Sequence, residues 1–365
     1  MYKITQVMPC MDKSELELIE KAIGNKWLTE GPYAKSFLEN IKNFTGSKYA
    51  VLAPNGTLGL FLALLAIDLP RGSEIIIPSF TFFASASSAV FAGLTPVFAD
   101  VDINSFNIDF GKIEECITEK TKAIMPVHVY GHSCRIDRVM EIAKKYNLIV
   151  IEDAAQGFGV FYKNRHVGTY GDISMISFFA DKTITTGEGA AVLTQSEELY
   201  NKLLLLRNQG RPNSGTFIHS SLGMNFRMTD VQCAIGVAQF GKFQRILDKR
   251  LKNYALYERS LAEVGDLEFM QVEKDSTFVP FRFFLRTNHK QSLTEYLEKS
   301  EIQTRSFFYP MHLQPALKSF TSKALSNAEL LYRTGTCLPL HHYMSEENII
   351  FISGKIKEFF EGRRI

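Results

Sequence analysis

Five cysteines in 365 residues is a small number, and their placement matters more than their count. Cys10, Cys116, Cys134, Cys233 and Cys337 lie far apart and form no CxxC pair. That pattern excludes a zinc knuckle and a disulfide framework, and it fits a reducing compartment. No apolar run reaches 18 residues, and Met1-Tyr-Lys-Ile-Thr-Gln lacks the apolar core of a signal peptide, so a cytoplasmic chain without membrane spans is expected. An excess of one charge is also missing. With 41 basic and 39 acidic residues the net charge is +2, which leaves no bulk electrostatic case for nucleic acid or an acidic membrane.

What is present is an ordinary globular composition, 45% hydrophobic and 22% charged, long enough for two domains. From residue 12 to about 195 short apolar strands alternate with helices. Tyr49–Ala53, Glu74–Ile77, Pro96–Asp100, Ala123–Val127, Leu148–Glu152, Asp172–Phe178 and Ala190–Thr194 read as strands. Helices are predicted over 12–23, 33–45, 58–67, 82–92, 111–118 and 136–146. Such alternation predicts an α/β fold with a mostly parallel sheet covered on both faces. The character changes near residue 240. A long charged helix over 241–264, a strand over Phe278–Leu285 and helices over 291–300 and 345–360 predict a smaller α+β unit. The expected division is a large domain of residues 13–244 and a small one of 245–365 joined by 1–12.

Sheets of this kind bind ligands at the carboxyl ends of their strands, and four stretches fall there. Asn55-Gly56-Thr57 sits at a strand-to-helix turn, where free N–H groups suit a phosphate; an ordinary capped helix start fits equally well. Ser79-Phe-Thr-Phe82 offers an aromatic that serves either as core or as a stacking face. Asp153 follows the most apolar strand, as a costly buried carboxylate with a purpose or as a helix cap. Lys182 lies between two strands, with Ser177 before it and glycines after it; alone, it reads as a surface charge. Together these residues match one chemistry. A lysine captures an aldehyde, a carboxylate keeps a pyridine nitrogen protonated, and hydroxyls and N–H groups hold a phosphate. That is the inventory of a pyridoxal-phosphate site.

The motifs Gly56-Thr57, Pro78-Ser-Phe-Thr-Phe82, Thr95-Pro-Val-Phe-Ala-Asp-Val-Asp102, Pro126-Val-His-Val-Tyr-Gly131, Glu152-Asp-Ala-Ala-Gln156, Ser177-Phe-Phe, Lys182-Thr-Ile-Thr-Thr-Gly-Glu-Gly189 and Gly223-Met-Asn-Phe-Arg-Met-Thr-Asp230 resemble, in order, the DegT/DnrJ/EryC1/StrS nucleotide-sugar aminotransferases. The lysine segment is most similar to perosamine-synthase-like members, which aminate C4 of a 4-keto-6-deoxyhexose. The resemblance implies the fold type I aminotransferase architecture and a homodimer with active sites at the subunit interface. It implies Lys182 as the Schiff-base lysine, Asp153 on the pyridine nitrogen, Gln156 near the phenolic oxygen and Phe82 stacked on the ring. Gly56, Thr57 and Ser177 would hold the phosphate, with Asn225 reaching it from the second subunit. L-Glutamate is the implied amino donor and a nucleotide-linked keto-sugar the acceptor, for surface glycan or related amino-sugar biosynthesis. Relatives with histidine at the lysine position are dehydratases; this chain has lysine. Ala190 and Gly157 depart from common family residues. His312 and Arg227 are candidate substrate contacts, each with a structural alternative: an ordinary loop histidine and an ion pair. His312, His341 and His342 lack metal-ligand spacing, so no metal is expected. Two other functions stay open: amination of another sugar position or of a small ketone, and a non-catalytic regulatory protein of the same fold.

Overall fold

Seven short strands, rich in β-branched and aliphatic residues, form the main sheet. The computed structural model describes residues 2–213, 215–320 and 324–362. In chain order the strands are β1 (Tyr49–Ala53), β2 (Glu74–Pro78), β3 (Thr95–Ala99), β4 (Thr121–Ile124), β5 (Ile149–Asp153), β6 (Phe161–Tyr162), β7 (Arg165–His166), β8 (Ile173–Ser177), β9 (Ala190–Thr194), β10 (Glu268–Phe269), β11 (Phe283–Arg286), β12 (Arg305–Ser306) and β13 (Gly335–Leu338). The main sheet has the order β1-β9-β8-β5-β4-β2-β3. Neighbours from β8 to β3 are parallel, while β9 runs antiparallel to both β1 and β8. Nearly continuous apolar strands are what a sheet buried on both faces requires.

The helices are α1 (Lys13–Gly24), α2 (Pro32–Thr45), α3 (Gly56–Ile67), α4 (Phe83–Phe91), α5 (Phe110–Ile113), α6 (Ile136–Tyr146), α7 (Glu197–Arg207), α8 (Asp230–Gly241), α9 (Phe243–Leu261), α10 (Lys290–Lys299), α11 (Ser326–Thr334) and α12 (Glu346–Glu361). Asp12 closes a capping box with Glu15 at the start of α1, and Gly46 ends α2 in the left-handed region. Helix α3 is apolar on every side and is packed against β8 and β9, with Leu60, Leu62 and Ala63 fully buried. A second sheet, β10-β11-β13-β12, is antiparallel throughout. The N-terminal residues pair with the segment just before β12 in an isolated bridge outside this sheet: Lys3 N–H donates to Glu301 O at 2.9 Å and Gln303 N–H to Ile4 O at 3.0 Å. The outermost residues of the expected small domain, Met1 and 363–365, lie outside the described residues.

Two stretches differ from expectation. The strand predicted over 278–285 begins only at Phe283, because Val279 N–H donates to Gly131 O at 2.8 Å and Pro280 has no N–H to give a ladder. The helix predicted over 111–118 makes a single α-turn and then a 3-10 turn over Glu114–Cys116. Among the described residues no helix is long and apolar enough to cross a membrane.

Candidate active site

The carboxyl ends of β1, β2, β5 and β8 open onto a cavity of about 810 Å³. Its wall includes Gly56, Thr57, Phe82, Asp153, Gln156, Ser177 and Lys182. At one end stands the start of α3. Asn55 Oδ1 caps it by accepting from Leu58 N–H at 3.0 Å, which leaves the first-turn N–H groups of Gly56 and Thr57 without intrahelical partners. A Cβ at Gly56 would stand 3.3 Å from the Cβ and Oγ of Ser177, the last residue of β8, and would fill the gap between helix and hydroxyl. The donors here are neutral groups at the positive end of a helix, a setting that suits an anion.

Strand β5 delivers two carboxylates to opposite faces, as the two-residue period demands. Glu152 is fully buried beneath the sheet end. It accepts from His128 Nε2 at 2.9 Å and from the N–H groups of Gly168, Tyr170 and Gly171, each at 2.7 Å. Asp153 faces the cavity. Its Oδ2 accepts from Ser85 Oγ at 2.7 Å and its Oδ1 from Ala155 N–H at 3.1 Å. Burial raises its pKa, and those two hydrogen bonds and the nearby Lys182 oppose the rise.

Lys182 projects from the β8–β9 connection, which its own backbone knits together. Thr186 N–H and Thr185 Oγ donate to Phe178 O at 2.9 and 3.0 Å, and Lys182 N–H donates to Phe179 O at 2.9 Å. The Lys182 side chain keeps 15% exposure. Its Nζ lies 4.8 Å from the Phe281 ring centroid, and burial lowers its pKa against the raising fields of Asp181 and Asp153. Gln156 is oriented too. Its Oε1 accepts from Tyr130 N–H at 2.6 Å, so its amide nitrogen is free to donate. Tyr130 itself sits at φ +59 and stacks on Phe284 with ring centroids 4.0 Å apart. Phe82 leaves 62% of its surface open.

The three remaining expected residues lie outside this cavity wall. His312 is buried, with Nδ1 against Ser79 Oγ at 2.6 Å and Nε2 against Glu329 at 3.0 Å, so both ring nitrogens serve the framework. Arg227 donates to Asn208 Oδ1 at 2.9 Å and lies 3.8 Å from Glu30, the ion-pair alternative. Asn225 is exposed, and its side chain accepts only from Arg227 N–H, at 3.2 Å, among the hydrogen bonds described. Sequence reasoning missed Ser85, Tyr130, Asp181, Arg282 and Arg305, all close to the cavity or in its wall. Asp181, adjacent to the lysine, was the one visible signal. Arg282 was hidden inside the stretch read as a strand.

A family's sequence pattern matches residues 9–357, a span that takes in every residue of the cavity wall. The chain belongs to the DegT/DnrJ/EryC1/StrS aminotransferase family. This DegT/DnrJ/EryC1/StrS chain is therefore a sugar aminotransferase, and the family depends on pyridoxal phosphate. It is 35% identical over 362 residues to a GDP-perosamine synthase of Escherichia coli O157:H7, covering 97% of this chain and 98% of that one. In fold it is similar to PseC of Helicobacter pylori, an aminotransferase involved in the biosynthesis of pseudoaminic acid. The TM-score is 0.94 at 28% identity, covering 98% of this chain and 99% of that one. It is also similar to a GDP-4-keto-6-deoxymannose-3-dehydratase with a trapped PLP-glutamate geminal diamine. There the TM-score is 0.90 at 26% identity, covering 97% of this chain and 100% of that one. The donor set fits the family's cofactor: a neutral anion cradle at α3, a buried carboxylate, an oriented amide donor, an open phenyl face and a lysine whose pKa is lowered by burial.

Proposed function

We propose that this aminotransferase moves the amino group of L-glutamate to C4 of a nucleotide-linked 4-keto-6-deoxyhexose, supplying an amino sugar for a surface glycan. The carrying observation is that Lys182, Asp153 and the open start of α3 share one cavity. The likeness to a GDP-perosamine synthase supports the choice of acceptor, and the glutamate in the name of the structural relative supports the donor. Bound in this cavity, the cofactor supplies an aldehyde carbon that carries the amino group and a ring that takes up electrons.

Each residue then has a task. Gly56, Thr57 and Ser177 hold the phosphate, and Asn225 of a second copy closes over it in a homodimer. Asp153 keeps the ring nitrogen protonated, since a buried carboxylate of raised pKa gains most from a cationic partner. The Gln156 amide donates to the ring oxygen, and Phe82 covers one ring face. Lys182 anchors the aldehyde at rest. Once released, its neutral amine takes the proton from the donor's α-carbon and returns one at the sugar carbon, a role its lowered pKa favours. Lys182→Ala tests this directly. The purified variant is expected to give no amino sugar from L-glutamate and keto-sugar, while still retaining cofactor without a covalent bond. Appreciable product from a folded variant would remove Lys182 from the mechanism.

A further inference from the structure

Asp181 has one carboxylate oxygen committed and one idle. Its Oδ2 accepts from Arg282 at 2.8 Å, and Arg305 lies 3.6 Å from the same oxygen. Its Oδ1 is buried and accepts no hydrogen bond. A buried charged acceptor without a donor is costly, so such atoms call for a partner. The cation opposite it is Lys182, whose Nζ stands 3.9 Å away, too far for a hydrogen bond but within about 1 Å of one. Arg282 is only 4% exposed and fixes the carboxylate plane. The Lys182 stem is flexible, and its Nζ faces the Phe281 ring on one side.

We propose that Asp181, held in place by Arg282, is the positioning residue that docks the Lys182 ammonium on the cavity wall in the steps where the detached nitrogen carries a proton. Within each half of the reaction the lysine gains a fixed place to hold the proton it has taken from one carbon until it gives it to the other. This inference rests on the function proposed above. Four charged groups act on Lys182: Asp181 and Asp153 raise its pKa, while Arg282 and Arg305 lower it. Arg282 thus both anchors Asp181 and cancels part of its field. Removing Asp181 and removing Arg282 therefore move the lysine in opposite directions.

The test measures, against pH, the rate at which L-glutamate alone, without sugar, discharges the visible absorbance band of the cofactor-loaded protein in wild type, Asp181→Asn, Asp181→Glu and Arg282→Gln, since that step uses the detached lysine. The Asn variant is expected to titrate about one pH unit lower, as loss of an opposite charge within about 4 Å requires. Arg282→Gln is expected to titrate higher, and Asp181→Glu close to wild type. An unmoved midpoint in a folded Asn variant overturns the proposal, as do equal shifts in the Asn and Gln variants. So does an Asn variant whose only defect is a raised KM for the keto-sugar, which would make Oδ1 a hydroxyl acceptor. A wild-type protein with no lysine-bound band would instead sink the functional reading beneath it.

Discussion

Replacing Glu152 with Gln changes one atom, yet it strikes the most heavily committed side chain near the site. The carboxylate has no exposure and accepts four hydrogen bonds, one from His128 and three from the backbone of residues 168–171. His128 Nδ1 accepts from Cys134 N–H at 3.3 Å, so its Nε2 carries the proton given to Glu152. A glutamine keeps one accepting oxygen and turns an NH₂ group toward N–H donors that point at it. Two buried donors lose their partner, at about 1–3 kcal/mol each, roughly 2–6 kcal/mol together. For a chain of 365 residues that corresponds to a fall in thermal midpoint of about 5 °C. The pH dependence has a definite sign. Burial pushes the Glu152 pKa up, but His128 and the Gly171 and Gly168 N–H groups together hold it below its ordinary value. Its contribution is therefore full above the unfolded carboxylate pKa of about 4.3 and is lost as pH falls through the lower folded value. Urea denaturation of both proteins at pH 7 and pH 4 checks this. The deficit is expected at pH 7 and smaller at pH 4. A difference below about 1 kcal/mol at pH 7 would refute the accounting of these four bonds.

Other substitutions separate holding the fold from holding the ligand. Asp153→Asn is expected to raise the thermal midpoint of cofactor-free protein at neutral pH, because a carboxylate of raised pKa costs stability once ionised above that pKa. The same variant is expected to lose about a hundredfold or more in turnover, measured as product formed. Ser85→Ala removes the 2.7 Å hydrogen bond to Asp153 and is expected to slow the glutamate-driven absorbance change about tenfold, corresponding to one charge-assisted bond. Gly131→Ala is expected to destabilise the fold by roughly 2–4 kcal/mol in urea denaturation. Its φ is +93 and a Cβ there would come within 1.9 Å of Val279 O.

The large sheet was readable because its strands are short apolar runs between strong punctuation, and Tyr49–Ala53 and Ala190–Thr194 match the expected spans. The strand ends then carried Asp153 and Lys182 to one place, as the topology of such sheets requires. The wall contributed by residues 281–309 was not readable in the same way. Phe281 and Arg282 look like strand residues by composition, and only the hydrogen bond from Val279 to Gly131 turns them into the cavity. Ser85 is one small residue among several in Ala84-Ser-Ala-Ser-Ser88, and nothing local marks it as the partner of a carboxylate 68 residues away. His312 stands in a motif that suggests ligand contact. Its burial between Ser79 and Glu329 is a tertiary fact that no local pattern carries.

The most direct test of the central claim is an absorbance experiment in two halves. Protein loaded with pyridoxal phosphate is first treated with L-glutamate, freed of it, and then offered a panel of nucleotide-linked 4-keto-6-deoxyhexoses. Loss of the lysine-bound band with glutamate and its return with one keto-sugar is the predicted result. A band that glutamate leaves unchanged, or that no keto-sugar restores, would contradict it.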